Sequence, residues 1–298
     1  MKTTRWAPLL ALMLVLGLFV AACGGDDEEP AGNGGEPTQE AQEFPPDSTM
    51  GRIQEAGEIK IGVKFDVPPF GFQNPQSGEV EGFDVDLGRA IADALGVEPN
   101  YIEAISDNRI PFLEDGTVDL ILSTMTINQE RDAEIDFSEP YYIANGRILV
   151  PQDSDIAGIA DLAGRRVCTA LGSTYEATLR EQAPDATLRL VDSYSECLEL
   201  LQNGAVHAVS TDDVILTGMI IQDDSLQLVE EEPLTTEPYG AGIADGDTEF
   251  KEFVDGVIAE YKSGGGWAES YEKWVGQYTG EQQEPPTMTL EEALELGG

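Results

Sequence analysis

Short apolar runs and helical stripes alternate along most of this chain. Ile59-Lys60-Ile61-Gly62-Val63 alternates with the two-residue period of a strand. Beyond it, Pro68-Pro69-Phe70-Gly71-Phe72 reads as a turn and residues 74–78 as a loop. From Asp84, the positions Leu87, Ile91, Ala94 and Leu95 share one helical face, with Asp84 placed as N-cap and Gly96 as the stop. Residues 101–104 predict a strand, 109–114 a short helix ended by Gly116, and Asp119-Leu120-Ile121-Leu122 a buried strand. A second series follows. Residues 148–150, 166–169, 187–191, 205–210 and 226–230 predict strands, and 175–182, 195–203 and 213–220 predict helices. Two further helices, 248–262 and 267–278, are split by Gly264-Gly265-Gly266.

Strand and helix thus alternate in two blocks, which predicts an α/β fold of two lobes, each a mostly parallel sheet flanked by helices. Residues 51–144 plus 242–280 make one lobe and 145–241 the other, joined by two extended crossings. Such sheets bind ligands beyond the carboxyl ends of their strands. Lys64, Ser123 to Thr126, Gly172 to Thr174, and Thr211-Asp212 all fall at such ends, so the expected site is a cleft between hinged lobes.

The ends of the chain differ in kind. Lys2 and Arg5 precede an apolar segment, 9–22, too short for a comfortable membrane span. It closes with Val20-Ala21-Ala22-Cys23, small residues before a cysteine, as at a lipoprotein cleavage site. Residues 1–22 therefore read as a lipoprotein signal peptide, with Cys23 as the lipid-bearing first residue; an ordinary secretory signal and an uncleaved anchor are the alternatives. Residues 23–50 are Gly, Pro and acid-rich and read as a flexible tether. Residues 281–298 read as a loose acidic tail.

Charge and cysteine count narrow the class. The chain has 57 acidic residues against 16 lysines and arginines, a formal net charge of −41. That excludes nucleic acid and anionic lipid as partners, and it suits a surface made for high salt, where screening shortens self-repulsion. With Cys23 lipidated, an exported chain keeps Cys168 and Cys197, which predicts one disulfide worth about 3–4 kcal/mol for a loop of about 30 residues. No metal is expected, since His207 stands alone in a turn, and no cofactor is called for.

The stretch 119–142 carries the chemistry. A buried strand runs into Ser123, Thr124 and Thr126, and Arg131 follows closely. Hydroxyls, exposed amides and a permanently charged guanidinium fork can hold a small carboxylate. A surface arginine paired with a neighbouring acid is the alternative.

Gly82-Phe83-Asp84-Val85-Asp86-Leu87 and the segment 124–131 with Asp136-Phe137-Ser138 and Tyr141-Tyr142 carry a family resemblance. Over about residues 55–280 the chain resembles the family 3, polar amino acid type, solute-binding proteins of ABC importers, most of all the glutamate-binding lipoproteins of actinobacteria. The resemblance implies a type II periplasmic-binding-protein-like fold that closes on an amino acid, with no chemistry performed. It implies that Arg131 and Thr126 hold the α-carboxylate, that the Thr124 backbone takes the ammonium, and that Ser173 and Thr174 close over the carboxylate. It also implies that Asp212 pairs with the ammonium, with Thr211 beside it at the rim. Ser173 and Asp212 are equally readable as plain helix caps. Lys64 or Arg109 would meet the side chain, favouring glutamate, then aspartate or glutamine. Against that, Lys64 reads as a rim residue and Arg109 as a local cap or ion pair. Phe70 is either a wall of the site or core. The partners implied are a permease pair with a cytoplasmic ATPase, serving a monomer held to the membrane by lipid alone. The rivals are an exported dehydratase of the same fold, using Asp212 or Asp107 as its acid, and a ligand-sensing module.

Overall fold

The computed structural model describes residues 42–280 and 282–296. The leader, Cys23 and the tether up to residue 41 lie outside them. Some of the residues read as tether are packed against the fold. Phe44 packs edge-on to Phe253 at 5.3 Å, and Ser48 caps helix α1 (Thr49–Ala56) by accepting from the Gly51 amide. One aromatic in an acidic stretch thus anchors residues that read as tether.

Strand β1 (Glu58–Val63) is central and buried. The segment expected as turn and loop folds into a small antiparallel sheet, β2 (Asp66–Val67), β3 (Gly71–Gln73) and β4 (Val80–Glu81). Helix α2 (Phe83–Leu95) follows, then β5 (Glu98–Glu103), α3 (Arg109–Glu114), β6 (Leu120–Ile121), α4 (Gln129–Asp132) and β7 (Ile135–Phe137). Asp84 does not cap α2. Gly82 holds the cap position, and Asp84 is fully buried inside the first turn, accepting from the Thr124 amide at 2.9 Å and the Tyr141 hydroxyl at 2.8 Å.

Strand β8 (Tyr142–Pro151) leaves this lobe for the second. There β9 (Arg166–Ala170), α5 (Thr174–Gln182), β10 (Thr187–Val191), α6 (Tyr194–Gln202), β11 (Ala208–Asp212), α7 (Asp213–Gln222) and β12 (Leu226–Leu228) follow in turn. The strand expected at 205–210 therefore sits later, and Asp212 ends it. His207 is half-buried rather than exposed, and its Nδ1 accepts from the Arg166 amide. Strand β13 (Thr236–Tyr239) returns beside β8, and β14 (Gly242–Ala244) re-enters the first sheet. Helix α8 (Thr248–Ser263), α9 (Gly266–Tyr271), a wide turn at Glu272–Gly276 and α10 (Gln277–Thr279) complete that lobe.

Each sheet is mostly parallel, as expected, with one reversed strand that makes it mixed. The first has the order β5-β1-β6-β14-β7, with β5, β1 and β6 parallel and β14 antiparallel to both neighbours. The second has the order β10-β9-β11-β8-β12, in which β8 runs antiparallel to β11 and β12. The reversed strands are the ones that cross between lobes, so the direction of a crossing chain sets the mixture. The crossings also pair with each other, Tyr142 to Asn145 against Tyr239 to Thr236.

Behind them lies an aromatic core of Phe70, Phe83, Tyr141, Tyr142, Tyr239, Trp267 and Tyr271, with the Trp267 indole donating to the Tyr141 carbonyl at 2.7 Å. Cys168 of β9 and Cys197 of α6 form a disulfide across 29 residues.

The C-terminal segment is not a loose tail. Helix α11 (Leu290–Leu296) buries Ala293 completely, and Met288, Leu290 and Leu294 pack with it on a cluster that includes Leu113 and Ile135. Its first amide donates to the Glu139 carboxylate at 2.8 Å. Acidic residues dominate the composition here, but a four-residue apolar stripe still finds a surface.

Candidate functional site

The first lobe presents Lys64 and residues 123–126 beyond β1 and β6. Thr124 has φ 44, a left-handed conformation that costs a β-branched residue energy. Its amide is held by Asp84, and its carbonyl accepts from Arg109 Nη1 at 3.2 Å. Arg109, buried at the start of α3, also donates to the carbonyls of Ser106 at 3.1 Å, Ser123 at 2.9 Å and Gly172 at 3.4 Å. Arg109 is a brace that shapes this loop, spent on carbonyls at every nitrogen. Burial first, then Arg131, pushes its pKa down to about 9, so it keeps its proton at neutral pH.

Arg131 stands on α4, whose start Asn128 caps at 2.9 Å. It donates to the Thr126 carbonyl at 2.7 Å and across the cleft to the Gly172 carbonyl at 3.1 Å. Two guanidiniums of one lobe thus converge on one backbone oxygen of the other. Gly172 permits this approach: its φ is 72, and a Cβ there would lie 2.6 Å from the Asp107 backbone. The second close approach is Gly218 of α7, where a Cβ would meet the Pro68 carbonyl at 1.7 Å.

The second lobe supplies the β9–α5 turn and the end of β11. Ser173 is tied within its turn, its hydroxyl donating to the Ala170 carbonyl at 2.7 Å, so it is not a side-chain cap. Thr174 opens α5. Asp212 is buried and accepts from the Tyr175 hydroxyl at 2.9 Å. Burial, then the charge of Glu237, pushes its pKa well above the usual carboxylate range.

Seven of the ten expected residues line one small cavity between the lobes: Arg109, Thr124, Thr126, Arg131, Ser173, Thr174 and Asp212, joined by Ser106, Tyr175 and Tyr194. Its free space is about 10 Å³, room for one water. It adjoins a groove of about 900 Å³ that reaches the surface past Asp107, Glu237 and Leu296.

The other three stand back. Lys64 is buried, donates to Ser106 Oγ at 2.9 Å and lies 5.7 Å over the Tyr194 ring. Burial and then Arg109 lower its pKa to about 7. Thr211 is buried in β11 behind Asp212. Phe70 belongs to the aromatic core, edge-on to Tyr142 at 4.8 Å and to Tyr239 at 5.7 Å.

Glu237 and Tyr194 escaped the sequence reading. Tyr194 opens α6, one residue ahead of the helix expected at 195–203. Glu237 was one acid among 57; its only signal was its place at a crossing, in Thr-Glu-Pro-Tyr.

Two mixed α/β sheets, paired crossings and a cleft lined from both sides define a two-lobed binding protein of the type II periplasmic class. The profile of the bacterial extracellular solute-binding proteins, family 3, matches residues 59–277, and the chain belongs to that family. It is a binding protein and not an enzyme. The glutamine-binding protein GlnH of Bacillus subtilis (strain 168) is 36% identical over 92% of this chain and 98% of its own. The glutamate-binding protein GluB of Corynebacterium efficiens is 30% identical over 94% of this chain and 92% of its own. The stronger match to a glutamine binder corrects the expected primacy of actinobacterial glutamate binders. Among solved structures, an ancestral arginine-binding protein bound to glutamine superposes with a TM-score of 0.70, at 35% identity, over 74% of this chain and 98% of its own. Among the described residues, no helix is long and apolar enough to cross a membrane.

Proposed function

We propose that this protein captures a polar amino acid outside the cytoplasm and hands it to an ABC importer. The observation that carries this is the meeting of Arg131 from one lobe and Asp212 from the other on a single cavity. An amino acid has two opposite charges a few bonds apart, and these two side chains complement them. The α-carboxylate would take the Gly172 carbonyl's place at Arg131, helped by the Thr174 amide at the start of α5. The α-ammonium would meet Asp212 and the Thr124 carbonyl. Closure follows because the ligand bridges both lobes and so binds the closed form better.

The side chain would point toward Ser106, Tyr194 and Lys64. Arg109 is spent on carbonyls, and Glu237 adds negative charge, so a neutral amide gains over a carboxylate. We therefore place glutamine ahead of glutamate; the second reading, glutamate, is favoured by Lys64. The relatives named for glutamine and glutamate span the same pair. The natural partners are two permease subunits with their ATPase, met by a monomer anchored through lipid on Cys23.

Titration calorimetry on unfolded and refolded protein, against a panel of amino acids, tests the reading. Glutamine or glutamate should bind, and Arg131→Ala and Asp212→Asn should each weaken binding at least a hundredfold. Tight binding of lysine or arginine with neither of those two would overturn the assignment.

A further inference from the structure

Glu237 sits on β13, the return crossing, and is 3% exposed. A buried carboxylate needs partners, and its partners come from both sides of the cleft. One oxygen, Oε2, accepts from the Thr126 hydroxyl at 2.6 Å and from the Thr174 hydroxyl at 3.1 Å. Thr126 lies beyond β6 in the first lobe, and Thr174 opens α5 in the second. Glu237 is also the charge that most supports the protonation of Arg131, and it faces the like charge of Asp212. Its own strand is held by backbone pairing, Glu237 opposite Ala144 of β8, so the carboxylate is delivered from the hinge itself.

We propose that Glu237 is the clasp that positions the two lobes for closure. Whichever lobe β13 follows when the cleft opens, one of the two threonine bonds must break. The clasp therefore stabilises the closed form over the open one, with or without ligand. Hydrogen bonds to an ionised acceptor are the strong class, and this one oxygen collects two. The charge matters as well as the shape. A glutamine side chain in its place keeps an acceptor but loses the ionic reinforcement and the support for Arg131. The role in ligand capture rests on the function proposed above, but the role in closure does not.

The test places a fluorophore on each lobe, away from the cleft, and measures lobe separation by energy transfer, first without ligand. Glu237→Gln should lengthen the mean separation, and Thr174→Val should do the same. The double variant should fall short of the sum of the two single changes, because Glu237→Gln weakens the same Thr174 bond that Thr174→Val removes. With glutamine bound, each variant should release ligand roughly tenfold faster. Unchanged separations in both single variants overturn the clasp. So does an additive double variant, since a residue that merely props up the fold would not couple to Thr174. Should Glu237→Gln fail to fold, Thr174→Val alone decides by the same distances. Should no amino acid bind at all, the ligand-free distances still judge the clasp and only the function proposed above falls.

Discussion

Lys64 holds a charge that its surroundings make costly. Buried beside Arg109, its ammonium loses its proton at about pH 7, far below ordinary lysine. An anionic side chain brought next to it would restore the proton. Glutamate binding should therefore weaken as pH rises from about 7 to 9, by up to about tenfold per unit, with proton uptake measurable by calorimetry in buffers of different ionisation heat. Glutamine, which asks for no charge on Lys64, should not show that weakening, and since both ligands meet Asp212 alike, the ratio of the two affinities reads Lys64. A flat profile for glutamate would remove Lys64 from the side-chain end of the site. At this scale the sequence was informative where a residue type is rare. The few cations stood out among 57 acids, and Lys64, Arg109 and Arg131 are all buried at the cleft. It was uninformative where the type is common, which is why Glu237 passed unnoticed. Nor could it show that Arg109 braces a loop, since its acceptors are carbonyls that any residue could supply.

Among the elements, the long ones were legible and some of the shortest were not. Helices α2 and α8 carry 13 and 16 residues, enough turns for a stripe to repeat. Strands β2 and β4 have two residues each, and two residues have no period. They exist because neighbours hydrogen-bond to them. Helix α11 was hidden for another reason: its acids read as solvent-facing, and its stripe needed the surface around Leu113 and Ile135 to matter. Ending the chain after residue 284 should uncover that surface and destabilise the first lobe by on the order of 2 kcal/mol, read from urea unfolding midpoints. An unchanged midpoint would mean that the helix rests there without stabilising anything.

For the whole molecule, charge is the dominant quantity. A net −41 on 298 residues repels itself in the folded state. Added salt shortens that repulsion from a reach of about 30 Å at 0.01 M to about 3 Å at 1 M. The melting temperature should accordingly rise by several degrees on going from about 10 mM to 1 M sodium chloride. A melting temperature that is constant or falls would show that the acidic surface sits far enough apart to need no screening. The same field slows an anionic ligand's approach more than a neutral one's, in keeping with glutamine ahead of glutamate.

By itself the chain determined two α/β lobes, the cysteine pair and the basic residues of the cleft, because periodicity, cysteine count and scarcity are local or countable properties. Tertiary structure alone decided the reversed strand of each sheet, the burial of Asp84 under Thr124, and the meeting of Glu237 with Thr126 and Thr174. Those are contacts between positions 40 to 111 residues apart, and only the folded path of the chain, including the return crossing that carries Glu237, brings them within hydrogen-bond reach.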